Sequence, residues 1–312
     1  PARPSGPGAS SVRSAWRKRI KRPTLLAIVT RIHLAFSPDS DDIFMFWPLL
    51  RGKIDTEGLT FTHERADTET LNQRALQGDV DVIAISIGHY ARLTEKYLLL
   101  PHAASIGRGY GPVVVAKESA PLESLRGKTI GIPGMRTTAF LTLSLLLDSF
   151  TPKVIPISPY SAVFNALAKG EIDAALLIHE GRRTFEREGY KKVIDIGAGW
   201  AAQTGGLPLP LGGNAIRKDL GPDRIAQVSR LCRESIAWAL AHRDEVIDAL
   251  LREESRAEVG LDRAMLDKYL AMYANDDTRE MKEDVKKAIV EMFRRARERG
   301  LIEANAVPEF AP

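Results

Sequence analysis

Ala75-Leu76-Gln77-Gly78-Asp79-Val80-Asp81-Val82-Ile83-Ala84-Ile85 is echoed about ninety residues later by Leu167-Ala168-Lys169-Gly170-Glu171-Ile172-Asp173-Ala174-Ala175-Leu176-Leu177. Each copy reads as a helix end, a glycine, an acid, an apolar residue, an aspartate and then an apolar run. A glycine there predicts a helix stopped in the left-handed conformation, which costs a residue without Cβ nothing. The apolar run has strand length and no polar alternation, as in a strand buried on both faces of a parallel sheet. The spacing is too long for a solenoid. It predicts two similar α/β lobes.

Outward from the repeat the rest of the chain follows the same plan. A first strand is predicted over 32–36, then a helix from near Ile43 capped by Asp41 and Asp42, with a kink or early stop at Pro48. Further strands are predicted over 113–116, 129–132, 155–157 and 193–196, and a helix over about 138–147 after the turn Pro133-Gly134. Leu207-Pro208-Leu209-Pro210-Leu211-Gly212-Gly213 reads as an extended return crossing. From Pro222 the pattern is helical, with Ile225, Val228, Leu231, Ile236 and Leu240 on a 3.6 period and two more helices over 261–273 and 278–299. The expected architecture is α/β, two lobes joined by two crossing strands with a cleft between them. Lobe 1 takes residues 31–115 and 213–312, the latter with the C-terminal helices, and lobe 2 takes 116–212.

The 312 residues suffice for two cores, and 44% hydrophobic with 27% charged residues is a globular composition. The net charge of +4 is misleading. Residues 1–31 hold eight basic side chains and no acid, so the remainder has 36 basic against 40 acidic residues. The folded part therefore has no basic excess for phosphates, and no nucleic-acid partner is expected. Residues 1–30 read as a basic flexible tail, an extension or an Arg-rich leader. No apolar run is long enough to span a membrane. The single Cys232 excludes an intrachain disulfide and reads as core. A cytoplasmic home is expected.

Ligands in open α/β folds bind at strand carboxyl ends facing a crevice. Aligning the two repeat copies puts Ser86 and His179 within one residue of equivalent positions at such ends, and a pseudo-twofold axis would turn both to one cleft. Neither suits an apolar strand interior. The plainer role for His179, a bond to a loop carbonyl, is outweighed by that placement. Pro133-Gly134-Met135-Arg136-Thr137-Thr138 joins strand to helix, so first-turn N–H groups, two hydroxyls and an arginine offer a carboxylate cradle. Simple N-capping by Thr137 or Thr138 is compatible with it. There is no Gly-x-x-x-x-Gly-Lys spacing for nucleotide phosphates. Ser37-Pro38-Asp39-Ser40-Asp41-Asp42 follows the first strand. Without EF-hand spacing or a nearby histidine, its acids read as caps and cleft contacts, with no metal. Gly107-Arg108-Gly109-Tyr110-Gly111 reads as flexibility beside a hinge.

Several blocks together resemble the 1,4-dihydroxy-6-naphthoate synthases of the futalosine route to menaquinone. They are Phe36-Ser37-Pro38 with Asp42, Glu69-Thr70-Leu71-Asn72, Gly107-Arg108-Gly109-Tyr110-Gly111-Pro112, Thr137-Thr138-Ala139, Ile178-His179-Glu180 and Gly206-Leu207-Pro208-Leu209-Pro210-Leu211-Gly212. The resemblance covers about His33 to Leu301. It implies a type II periplasmic-binding-protein-like fold and a lyase that cleaves cyclic dehypoxanthinyl futalosine to the dihydroxynaphthoate without metal or cofactor. It further implies His179 as proton acceptor and substrate contacts at Ser86, Thr138 and Ala139, with Thr137 and Asp42 close by. Imidazole suits a cleavage that needs a base near neutral pKa. One departure stands out. Such synthases usually carry Cys-Pro-Asn-Asp-Thr after Ser-Pro, whereas this chain has Asp39-Ser40-Asp41-Asp42-Ile43. An amide becomes a carboxylate there, which disfavours an anionic group placed beside it.

The competing reading is a non-catalytic solute-binding protein for a small carboxylate, since a fold does not fix chemistry. Against it stands the lack of a secretory apolar segment and of a lipid-anchor cysteine near the start. A chorismate-processing dehydratase of the same fold has no motive beyond the fold. Oligomeric state is not legible in the sequence.

Overall fold

The computed structural model describes residues 2, 31–156, 159, 161–178, 181–253 and 262–312. The rest of the expected tail lies outside them. The chain opens with β1 (Arg31–Phe36), α1 (Ser40–Leu50), β2 (Thr60–Arg65), α2 (Thr68–Ala75), β3 (Val82–Ser86), β4 (Tyr97–Leu99) and β5 (Ser105–Gly107). A second group follows: β6 (Val113–Ala116), β7 (Thr129–Ile132), α3 (Thr138–Leu146), β8 (Thr151–Val154), α4 (Ser161–Lys169), β9 (Ala174–Leu177), α5 (Gly181–Thr184), β10 (Lys191–Asp195) and α6 (Ile196–Gln203). The chain returns through β11 (Leu209–Arg217) to α7 (Pro222–Ala241), α8 (Arg243–Glu253), α9 (Arg263–Tyr273), α10 (Asp276–Arg279) and α11 (Glu283–Glu298).

Two sheets result. The first runs β2-β1-β3-β11-β4 with β5 also on β11, and the second runs β10-β6-β9-β7-β8. The lobe limits expected at 115/116 and 212/213 fall inside β6, in the second sheet, and β11, in the first. The repeat strands β3 and β9 hold the same place in each sheet. β3 is parallel to β1 and antiparallel to β11, while β9 is parallel to β7 and antiparallel to β6. The sheets are therefore mixed, because each crossing strand enters antiparallel beside the repeat strand.

The physical content of the repeat is visible in both copies. Gly78 and Gly170 sit at φ +74° and +72°, the left-handed stop expected of them. Asp81 Oδ2 accepts from the His33 N–H at 2.8 Å, and Asp173 Oδ2 accepts from the Thr129 N–H at 2.8 Å. Each aspartate thus ties the start of its own strand to the neighbouring parallel strand. The strand faces alternate as the pleat requires. Val114, Ala116, Ala174 and Leu176 pack into the large core that extends through the first lobe. Val113, Val115, Ala175 and Leu177 face a smaller core with Phe164 and Leu167 of α4.

Some local expectations shift. α1 starts at Ser40, with Asp39 at the cap position but no side-chain capping bond; Asp41 and Asp42 lie inside the first turn. The helix runs two residues past Pro48 before ending. β8 covers Thr151–Val154, ahead of the strand expected over 155–157, whose last residue lies outside the described ones. The last predicted helix divides into α10 and α11, because the Met281 N–H turns away to the Pro101 carbonyl at 2.8 Å. Gly107-Arg108-Gly109-Tyr110-Gly111 is clamped, not slack. A Cβ on Gly107 would stand 2.0 Å from the Tyr110 oxygen, and one on Gly197 would stand 2.2 Å from the Tyr110 carbonyl carbon. Arg108 is pinned between Asp277 and Asp284 at 2.6 Å each. Among the described residues no helix is long and apolar enough to cross a membrane.

Candidate functional site

Strand and helix ends from both sheets enclose one cleft of about 800 Å³, its open mouth included. Ser86, Thr137, Thr138, Ala139 and Asp42, all singled out in the sequence, line it. His179 lies outside the described residues; Ile178, which precedes it, lines the cleft. Among the described residues no histidine does. His89 and His102 are buried, and burial pushes both down to about 4, so they are neutral at ordinary pH.

Ser86 ends β3 and is held by Asn72 of α2. The Asn72 amide donates to Ser86 Oγ at 3.0 Å, and its carbonyl accepts the Ser86 N–H at 2.9 Å. A hydroxyl that accepts from an amide keeps its own hydrogen to donate. α3 is apolar nearly all round, so it is buried, and its start is carried to the cleft behind the short turn after β7. Thr137 caps it. Its Oγ accepts the Phe140 N–H at 3.1 Å and donates to the Gly134 carbonyl at 2.9 Å. Thr138 Oγ accepts the Gly88 N–H at 3.0 Å and donates to the Leu211 carbonyl at 2.5 Å.

These bonds alter the expected carboxylate cradle. Both threonine hydroxyls have spent their donor hydrogens on protein carbonyls. Arg136 is turned away: its N–H and guanidinium meet the two Glu69 oxygens at 3.0 and 2.8 Å, and it does not line the cleft. What remains are the first-turn N–H groups of Thr138 and Ala139, which helix geometry leaves without an intrahelical acceptor.

The acids after β1 form one wall. Asp41 accepts from the Ser105 hydroxyl at 2.6 Å and the Tyr269 hydroxyl at 3.1 Å. Asp42 accepts the Ser37 N–H at 2.9 Å. Burial, then the charges of Asp41 and Asp39, push the Asp42 carboxyl up to about 7 against the pull of Ser37.

The sequence reading missed Arg182, Ser105, Tyr269 and Tyr273, which also line the cleft. Arg182 donates to the Tyr273 hydroxyl at 2.6 Å and to Asp195 at 3.1 Å. Burial raises the Asp195 carboxyl above its usual range, opposed by Arg182 and by the Ala198 and Gly197 N–H groups. An arginine five residues past a repeat strand was a signal available in the sequence. The tyrosines on α9 left none.

Residues 32–298 match a family model described as menaquinone biosynthesis. A 1,4-dihydroxy-6-naphthoate synthase of Thermus thermophilus is 34% identical over 279 residues, covering 89% of this chain and 98% of that protein. A solved protein of Archaeoglobus fulgidus is 42% identical with a TM-score of 0.79, over 88% of this chain and 99% of that one. The alkanesulfonate-binding protein of Xanthomonas axonopodis pv. citri, solved with MOPS bound, is 13% identical with a TM-score of 0.64 over 89% and 96% of the chains. That last likeness is one of fold: the two lobes expected from the repeat, in the periplasmic-binding-protein-like architecture that the family resemblance implies.

Proposed function

The chain belongs to the menaquinone-biosynthesis family, and from that premise we propose that it is a 1,4-dihydroxy-6-naphthoate synthase, a carbon–carbon lyase that acts on cyclic dehypoxanthinyl futalosine without a cofactor. The observation that carries this reading is the cleft that gathers Ser86, Asp42, Thr137, Thr138 and Ala139 from both lobes of a chain so similar to a synthase. His179 serves as the proton acceptor, a role that suits imidazole at neutral pH. The Ser86 hydroxyl, braced by Asn72, donates to the substrate, and the N–H groups at the start of α3 favour an anionic oxygen. Thr137 and Thr138 act by orienting that helix start. A cleft closed by two lobes excludes water and aligns the bond to be broken. Membership of a biosynthetic family supports a cytoplasmic location.

Turnover of the cyclic substrate by purified His179→Gln tests this. A fall of roughly 10²–10⁴-fold in kcat with substrate affinity nearly kept is expected for loss of a general base. Wild-type turnover in that variant would remove the proposed base.

A further inference from the structure

Charge in the cleft is sorted between its walls. The cation among its described lining residues is Arg182, on α5 of the second lobe, whereas Asp39, Asp41 and Asp42 stand together after β1 in the first. Helix α9 links the two groups. Tyr273 accepts from Arg182, and Tyr269, one turn earlier, donates to Asp41. The two tyrosine rings stand 5.2 Å apart between centroids, so the bonds to Arg182 and to Asp41 leave the same stretch of α9. Arg182 is rigidly held, with Asp195 on one side and the Tyr110 ring 5.7 Å beneath it. Its bonds to Asp195 and Tyr273 engage two of a guanidinium's five N–H donors. Leu71, Ala84, Ala139 and Ile178 add apolar surface to the lining.

We propose that Arg182 is the residue that selects the substrate's carboxylate, so that the aromatic acid lies with its carboxylate on Arg182 and its hydroxylated ring toward Asp39, Asp41 and Asp42. This rests on the synthase reading. In 1,4-dihydroxy-6-naphthoate the carboxylate sits on one ring and both hydroxyls on the other, so the molecule has the same two ends as the cleft. A guanidinium matches a carboxylate in shape as well as charge. The acidic wall does the reverse. It accepts hydrogen bonds from hydroxyls and repels a carboxylate, which penalises the flipped pose. Asp41, which already accepts from the Ser105 and Tyr269 hydroxyls, adds a carboxylate to that wall that suits hydroxyls and rejects an anion.

The test compares binding of 1,4-dihydroxy-6-naphthoate and its neutral 6-carboxamide to the purified full chain, by calorimetry, for wild type, Arg182→Lys and Arg182→Gln, with turnover measured alongside. Wild type should prefer the acid by about tenfold or more, and Arg182→Gln should bind the two within about threefold of each other. The ratio is taken within one protein, so a general loss of affinity does not mimic it. If the glutamine variant does not fold around Asp195, Arg182→Lys decides. It keeps the charge but loses the fork, and its preference should fall by about threefold. A variant with the wild-type ratio, or a wild type indifferent to the carboxylate, overturns the proposal. Preferred binding of the acid without turnover sinks the synthase reading but leaves Arg182 as the anchor. A wild type that binds neither molecule sinks both.

Discussion

Asp42 shows how a single carboxyl reads its surroundings. Its place in the first turn of α1 and the Ser37 N–H favour the charged form, yet burial and two neighbouring acids lift it from 3.8 to about 7. Between those values the folded chain holds a proton that the unfolded chain has lost. Stability from this group is therefore present at low pH and is lost as pH rises through the window, with a slope of up to about 1.4 kcal/mol per pH unit. Asp42→Asn keeps an acceptor for Ser37 and should flatten that dependence, leaving the variant more stable than wild type above about pH 7. Urea unfolding at several pH values checks it. Parallel curves for the two proteins would mean that Asp42 titrates like an ordinary carboxyl.

The repeat aspartates make the same bond in different solvent. Asp81 is buried and also faces Arg217 at 3.2 Å, whereas Asp173 is exposed. Truncating Asp81 strands the His33 N–H and leaves half-buried Arg217 to the exposed Asp219, so Asp81→Ala should cost about 1–3 kcal/mol. Water can replace the exposed carboxylate, so Asp173→Ala should cost under about 1 kcal/mol. Chemical denaturation of both variants measures the difference; equal losses would show that burial does not set the worth of this bond. The crossing segments obey a different constraint, backbone against backbone. Gly107 and Gly197 leave no space for a Cβ, which is why the block that reads as flexible in sequence is tightly packed.

Across the molecule, the lobes meet through polar bonds at the rim of the cleft. Glu69 of α2 holds Arg136, the Asn72 amide donates to the Arg136 carbonyl at 3.2 Å, Thr138 joins Gly88 to Leu211, and Arg182 reaches Tyr273. Each favours the apposed lobes and none holds an open arrangement. Glu69→Gln weakens one of them without changing size. Ligand affinity should drop by about threefold to tenfold through a smaller population of closed molecules, with thermal stability little changed. Solution scattering without ligand should show a larger radius of gyration. An unchanged radius and affinity would deny the ion pair any part in closure.

The two-lobed plan and most of the cleft were legible along the chain because their signals are local. A glycine stop, an apolar run and the residue that ends it lie within a dozen positions, and strand ends face the crevice wherever the strands finally pair. That is why Ser86, Thr137, Thr138 and Asp42 could be named without coordinates, whereas Ala139 came from the family resemblance alone. Folding alone revealed which hydroxyls were already spent, that Arg136 answers to Glu69, and that Arg182 meets a tyrosine 91 positions away. Such facts depend on which helix face packs over the cleft. Long-range packing sets that, and neither the period of α9 nor the run of residues after β9 encodes it.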